Sequence, residues 1–527
     1  MSALLPAVST APSPPIAPSE AGTGESPPLP EHVEVAIVGA GFGGLGAAIQ
    51  LKRAGFEDFL ILERASGVGG TWWANTYPGC QCDVPSNLYS FSFAPRPDWS
   101  HSYPEQPQIL DYLQQCAEDF GVLPRTRLGC EVTEAEWDEE HRRWRIETSL
   151  GRLNARFLVA APGLLSEPSA PDIPGLESFG GTIFHSARWN HDHDLAGERV
   201  ALIGTGATAV QIAPRIRDVV KRLYVFQRTP PWVIPHLDRP VGERLKRLYR
   251  RVPAVQRLAR AGVYGLRELF VLGFIRDRRL LKLGEAVARL HLRRQVPDRE
   301  LRARLTPGYE IGCKRITLSD EWYPTLTAPN VDVVTSGIAE VRERSIVASD
   351  GTELEVETIV LATGFSPTDP PIAHRLKDGE GRTLSEVWAG SPQAYLGTSV
   401  AGFPNFFMLY GPNLNLSHTS IVYMMEAQIT YLVEAVRTMR ARGLGTLDVR
   451  RRVQDEWNAD LQRRLEGSVW DEGGCTSWYL DANGRNSIQW PDFTFRFRRR
   501  TRTFAPADYH LEALSEGKRE PELVGGG

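Results

Sequence analysis

Val33-Glu34-Val35-Ala36-Ile37-Val38-Gly39-Ala40-Gly41-Phe42-Gly43-Gly44 is the stretch on which the fold turns. Its first six residues are mostly apolar and rich in β-branched side chains, as expected of a strand buried on both faces. They run without a break into G-x-G-x-x-G. A helical pattern follows from Leu45 to Arg53 and ends at Gly55; a second apolar strand, Phe59 to Leu62, ends at Glu63. Gly39 permits the tight turn, Gly41 lets the backbone approach a pyrophosphate, and Gly44 lets the helix pack closely on the strand. Phe42 and Gly43 complete the loop as further candidate cofactor contacts, and the N-terminus of the helix that follows offers free N–H groups that suit phosphate. Glu63 lies about 20 residues past the loop, where an acid accepts ribose hydroxyls.

A second unit of the same kind starts at Arg199. The strand Val200 to Ile203 leads into Gly204-Thr205-Gly206-Ala207-Thr208-Ala209, a G-x-G-x-x-A variant, and the helix continues through Val210, Gln211 and Ile212. The next strand, Leu223 to Phe226, ends at Gln227-Arg228-Thr229. An acid at that strand end favours NAD, whereas Arg228 suits the 2′-phosphate of NADP. A surface arginine paired with a carboxylate is the plainer alternative. Two dinucleotide loops in one chain imply two nucleotides with electron transfer between them.

The bulk numbers narrow the class. A chain of 527 residues with 42% hydrophobic and 24% charged residues is an ordinary globular protein, and its net charge of −4 gives no global basic field for nucleic acid. Met1 to Pro30 is rich in Pro, Ser and Ala, lacks the pattern of a signal peptide, and is expected to be a disordered tail. No stretch is long and apolar enough to span a membrane. Six scattered cysteines (Cys80, Cys82, Cys116, Cys130, Cys313, Cys475) do not form a secreted disulfide framework, so a reducing, cytoplasmic compartment is expected. Cys80 and Cys82 are too close in sequence for an unstrained bridge, and no good redox pair is expected. Asn190-His191-Asp192-His193-Asp194 fits no strong zinc spacing, and no metal is expected. Leu237 to Leu305 is an insertion rich in Arg and Leu at helical spacing. It reads as helices with a solvated face, the alternative being a basic amphipathic helix on a membrane surface.

Longer motifs carry a resemblance. Phe179-Gly180-Gly181-Thr182-Ile183-Phe184-His185-Ser186-Ala187-Arg188-Trp189 fits F-x-G-x-x-x-H-x-x-x-W, and Gly69-Gly70-Thr71-Trp72 through Tyr77-Pro78-Gly79 to Asp83 fits [AG]-G-x-W-x4-[FY]-P-[GM]-x3-D. Together they resemble the signatures of type I Baeyer–Villiger monooxygenases, within the flavin-containing monooxygenase family. Asn190 stands where that family usually has Pro or Asp. Similarity continues at Gly312-Cys313-Lys314-Arg315, Leu361 to Phe365, Gly411 to Asn413 and Ser477 to Tyr479, so it covers about Val33 to Tyr479.

The resemblance implies an enzyme in which NADPH reduces FAD, the reduced flavin takes up O₂ as a C4a-peroxide, and oxygen is inserted beside a ketone carbonyl to give an ester or lactone. It implies Arg315 as the catalytic arginine over the flavin and Asp83 as the acid that holds it. A guanidinium suits this task because it cannot lose its charge. Gly70, Thr71, Trp72 and Tyr89 would line the FAD site with Glu63. Thr205, Gly206, Thr208 and Gln211 would cradle the NADP pyrophosphate, with Arg228, Thr229 and Lys314 near its 2′-phosphate and Trp478 on the nicotinamide side. Phe179, Gly181, His185 and Trp189 would act through domain orientation, with His185 as a general base the alternative. The segment after Trp478-Tyr479 departs from the family's usual Gly-Ala-Asn.

The expected fold is α/β, with two doubly wound Rossmann-like nucleotide-binding domains and a helical insertion. The FAD-binding domain comprises 31–161 and 385–506, the NADP-binding domain 162–384 with the insertion at about 237–305, and a loose tail 507–527. The expected partners are a ketone, with a sulfide as a further acceptor, and O₂. Two rivals stay open: an N- or S-oxygenating flavin monooxygenase, and a reductase passing electrons to a disulfide or a protein.

Overall fold

The computed structural model describes residues 28–165 and 167–514; residues 1–27 of the expected N-terminal tail lie outside them. The chain forms two sheets built around the two glycine-loop strands. In the first, His32–Val38 lies between Phe59–Leu62 and Gly151–Ala160, parallel to both. Val35, Ala36 and Ile37 are fully buried, which is why this strand reads as a continuous apolar run. Thr126–Arg127 adds to one side, and an antiparallel pair, Val132–Asp138 and Arg143–Thr148, extends the other. The helix Phe42–Arg53 leaves the C-terminal end of the central strand and packs beneath the long helix Ile421–Ala441. A side chain at Gly44 would place its Cβ 1.8 Å from the carbonyl oxygen of Gly39, so only glycine lets this helix sit so close to its own loop.

The second sheet is wholly parallel: Val331–Val334, Arg222–Phe226, Arg199–Ile203, Thr358–Leu361 and Thr182–His185, in that order. In each sheet the strand after the loop lies on one side of the loop strand, and a strand from much later in the chain lies on the other. Each glycine loop therefore opens at a reversal of strand order, where doubly wound sheets bind ligands.

The chain returns to the first sheet earlier than the expected boundary at 385. Leu376–Lys377 already pairs with Ala135–Glu136, and Phe406–Met408 pairs with Gly151–Ala160. A two-residue edge strand leaves too little pattern in sequence to mark that return. The expected loose tail at 507–527 is corrected in part: Tyr509–Ala513 pairs antiparallel with Leu444–Val449, and Tyr509 is buried. Its residues 515–527 lie outside the described set.

The insertion folds as helices Glu243–Arg251, Pro253–Glu268, Leu281–Gln295 and Arg299–Arg304, joined by short turns. The longest of them is inverted relative to a solvated polar face. Its inward side carries Gln256, Arg260, Arg267 and Glu268, and Leu258 and Leu266 point out. The inward polar groups are paired: Gln256 Nε2 donates to Asn87 Oδ1 at 3.1 Å, Arg260 Nη1 donates to the Asn87 carbonyl at 2.8 Å, and Glu268 accepts from the Thr494 amide at 3.0 Å.

One expectation about cysteine is overturned. Cys313 and Cys475 form a disulfide across 162 residues, with Cα atoms 6.2 Å apart. Spacing along the chain hid the pair, because the fold alone brings the two segments together. Cys80 and Cys82 are free and buried.

Candidate functional site

A cavity of about 1130 Å³ runs from the first glycine loop to the second. It is lined by Gly39, Gly41, Phe42 and Gly43 of the first loop, with Glu63, Gly70, Thr71, Trp72, Asp83 and Tyr89. Gly204, Thr205, Gly206, Thr208 and Gln211 line it from the second, with Arg228, Thr229, Lys314, Arg315 and Trp478. Of the expected cofactor-binding residues only Gly44 is off the wall, since it serves the packing of the helix.

The first loop forms a bare backbone surface. A Cβ on Gly41 would meet the Cα of Gly70 at 3.4 Å, and one on Gly70 would meet the Cα of Gly41 at 2.8 Å, so the two glycines keep the wall thin. Glu63 is buried. Its carboxylate accepts from the Ala40 amide at 2.6 Å and the Ala65 amide at 2.8 Å, which fixes it at the strand end with lone pairs left for a ribose. Trp72 Nε1 donates to the Tyr89 hydroxyl at 3.2 Å, and Phe42 packs edge-on against Tyr89 at 5.1 Å.

Arg315 and Asp83 meet in a two-pronged contact, Nε to Oδ2 and Nη2 to Oδ1, both 2.6 Å, and Arg315 Nη1 donates to the Leu416 carbonyl at 3.1 Å. The pair lies deep in the chain but faces the cavity, with 32% of the Arg315 side chain open. Burial alone would raise the Asp83 carboxyl; Arg315 outweighs it and holds the group below the usual carboxylate range. Burial likewise works against the Arg315 guanidinium, and Asp83 more than offsets it, so its charge is permanent. Arg267 brings a further positive charge, its Nη2 at 3.5 Å from the Asp83 backbone oxygen and 3.3 Å from the Tyr103 hydroxyl. It comes from the helical insertion, and no motif in the sequence singles it out. Tyr410 was also missed; it lines the cavity and donates to Asn415 Oδ1 at 2.7 Å.

Across the cavity, Thr205 Oγ1 donates to the Thr229 carbonyl at 2.9 Å and ties the second loop to its strand end. Gln211 accepts from the Tyr77 hydroxyl at 2.9 Å and donates to the Gln81 carbonyl at 3.0 Å, so its side chain bridges the two sheets' layers. Arg228 and Lys314 face a smaller cavity of about 390 Å³, shared with Tyr309 and Cys475. Burial, aided by Arg228, pushes the Lys314 ammonium below its ordinary value. Neither cation has a salt bridge to a carboxylate among the described residues, so two like charges share one recess. That arrangement fits a phosphate. Trp478 is exposed on the cavity wall and so is not a core tryptophan.

The fingerprint residues lie outside the cavity. His185 ends its strand beside Leu361, its Nδ1 accepts from the Ala187 amide at 3.1 Å, and burial lowers its imidazole. Trp189 packs edge-on against Phe184 at 5.0 Å. Phe179 is buried, and a Cβ on Gly181 would strike the Glu357 carbonyl at 2.2 Å. They brace the second sheet where the chain enters it. His193, from the histidine-rich stretch, is hydrogen-bonded to Thr358 Oγ1 at 2.8 Å and to Glu198 at 3.1 Å.

The family described as pyridine nucleotide-disulphide oxidoreductase matches residues 36–251, which span both glycine loops and stop short of Arg315. A Baeyer-Villiger monooxygenase of Streptomyces coelicolor is 51% identical over 482 residues, covering 91% of this chain and 93% of its own. Among solved structures, an oxidized steroid monooxygenase bound to NADP is 32% identical with a TM-score of 0.81, over 92% of this chain and all of that one. OTEMO in complex with FAD and NADP is 26% identical with a TM-score of 0.83, over 91% of this chain and 99% of that one.

Proposed function

Because the chain belongs to the Baeyer–Villiger monooxygenase family, we propose that its large cavity holds FAD against the first glycine loop and NADPH against the second, and that it converts a ketone and O₂ into an ester or lactone. The observation that carries this reading is the Arg315–Asp83 pair, a permanent cation facing the space between the two loops. The thin Gly41–Gly70 wall and Glu63 fit the dinucleotide end of FAD, and the Arg228–Lys314 recess fits the 2′-phosphate of NADPH. Bound FAD would supply the chemistry of taking hydride from NADPH and activating O₂.

The residues of the chain do the rest. As a ketone carbonyl carbon turns tetrahedral, negative charge gathers on its oxygen, and Arg315 is placed to stabilise it. Asp83 positions the guanidinium through Nε and Nη2 and the Leu416 carbonyl takes one proton of Nη1, which leaves one N–H on each of Nη1 and Nη2 to donate. Arg267 adds positive potential behind Asp83. Trp478 closes the wall over the NADP side and limits water. Phe179, Gly181, His185 and Trp189 set the angle between the two layers. In this assignment the FAD unit is built on the first sheet, and the NADP unit on the second with its insertion. A sulfide is a second substrate class with the opposite polarity: its sulfur lone pair would attack an electrophilic oxygen, whereas a ketone carbonyl is attacked by a nucleophilic one. The demand for NADPH supports a cytoplasmic location.

The test is reduction of the purified protein with NADPH in the absence of oxygen, then mixing with oxygenated buffer with and without a ketone. Ester formed in step with NADPH oxidised is the expected result. Reoxidation indifferent to any ketone, with no ester, would count against it.

A further inference from the structure

The helical insertion has an outer surface that the reaction does not need. The helix Pro253–Glu268 turns Gln256, Arg260, Arg267 and Glu268 inward with Val263 and Tyr264, onto Asn87, Ser90, Arg96, His418 and Thr494, and leaves Leu258 and Leu266 in water. Leu258 is 74% exposed and Leu266 64%, and Leu269 and Phe270 continue the stripe past the helix end. Ala261, Gly262 and Gly265 lie on the same exposed side. The helix Leu281–Gln295 repeats the arrangement with Leu283 at 76%, Val287 and Leu290. A Cβ on Gly273 would meet the Cβ of Leu280 at 3.6 Å, so the turn after Phe270 adjoins the start of the second stripe. Of the large apolar side chains exposed anywhere in the described residues, most lie between Leu237 and Leu290.

Charge points to what covers this surface. Residues 243–295 contain fifteen Lys and Arg against four Asp and Glu, in a chain whose net charge is −4. Arg244, Arg251, Arg257, Arg293 and Arg294 are exposed beside the apolar stripes and make no salt bridge among the described residues. No helix there is long and apolar enough to cross a bilayer. Apolar stripes flanked by unpaired cations are the pattern of helices that lie in the headgroup layer.

We propose that the outer face of the helical insertion docks on an anionic lipid bilayer, with Leu258, Leu266, Phe270 and Leu283 entering the acyl boundary and the flanking arginines meeting the lipid phosphates. The inner side of the same helix carries Arg267 beside Asp83, so docking would set the cover of the cavity against the membrane, where apolar ketones concentrate. This goes beyond the catalytic reading and stands or falls separately from it, since binding is measured without turnover.

The experiment is cosedimentation of the flavin-loaded protein with vesicles of phosphatidylcholine alone and of phosphatidylcholine mixed with phosphatidylglycerol. Binding to the mixed vesicles that weakens with added salt is expected. The variant Leu258→Ser, Leu266→Ser, Leu283→Ser should bind at least about a hundredfold more weakly, since each leucine fully buried in the acyl boundary is worth about tenfold and three are removed. Arg244→Glu, Arg251→Glu should lose the preference for phosphatidylglycerol. Retained flavin and an unchanged thermal unfolding midpoint serve as the folding control for both variants. No binding to either vesicle, or equal binding of parent and both variants, would overturn the proposal. So would a parent that is dimeric by light scattering, made monomeric by the leucine variant, with no vesicle binding; that result assigns the face to a second copy of this chain.

Discussion

Replacing Arg315 with alanine should separate two roles that one residue plays. The guanidinium makes two 2.6 Å contacts to Asp83 and one of 3.1 Å to the Leu416 carbonyl, and its loss leaves the Asp83 carboxylate in a poorly solvated site. Breaking a buried pair from one side costs about 3 to 5 kcal/mol. The lower figure, about 3 kcal/mol, is appropriate here because the pair faces a cavity and Arg267 remains nearby. Asp83→Ala in the same chain removes the stranded charge, so the double variant should recover much of that stability. Ester formation should behave differently. Loss of the cation facing the substrate oxygen should lower kcat by about 100-fold or more in the single variant, and the double variant should regain none of it. Thermal unfolding and product detection on the three proteins, with flavin content and NADP⁺ binding as controls, make the comparison. A double variant that regains ester formation to within about tenfold of the parent would refute the reasoning, because catalysis would then need only an undisturbed pocket.

The same pair gives a pH dependence. The folded Asp83 carboxyl is held below its ordinary value, so its ionisation stabilises the fold above the ordinary carboxylate range, and that contribution is lost as pH falls below about 4. In Arg315→Ala the carboxyl loses the charge that chiefly holds it down and burial raises it, so this contribution to stability at neutral pH should vanish or reverse, and stability should fall less as pH drops through the carboxylate range than it does in the parent. Arg228→Ala and Lys314→Ala should each raise KM for NADPH by about tenfold or more while leaving KM for NADH nearly unchanged; equal changes for both would remove the 2′-phosphate from the recess. Gly44→Ala should purify without flavin or fail to fold, since its Cβ would overlap the Gly39 carbonyl, and a fully yellow variant would contradict the packing described. Thiol labelling of the denatured, unreduced protein should modify Cys80, Cys82, Cys116 and Cys130 alone, and labelling of Cys313 or Cys475 would contradict the disulfide.

The two glycine loops were legible in the sequence because their physics is local: strand, turn, helix and strand end follow one another within a few dozen residues. The pairing of Asp83 with Arg315 was legible only through longer motifs, since 232 residues separate them. Arg267 and the Cys313–Cys475 bond had no such signal, because each depends on where the insertion and the C-terminal loop settle. The insertion shows the limit most directly. Leucines at helical spacing define a stripe, but spacing cannot say whether the stripe faces the protein or the water, and here it faces the water because Arg260, Arg267 and Glu268 have partners inside.

The bond between Cys313 and Cys475 closes a covalent ring of chain. Inside that ring lie the last strands of the second sheet, the return to the first, and the long helix Ile421–Ala441. A protease that cuts anywhere between the two cysteines opens the ring without releasing a fragment, so a nicked molecule still migrates as one piece until a reductant is added. The two nucleotide layers are thus joined by a covalent cross-link in addition to the backbone and the packing between them.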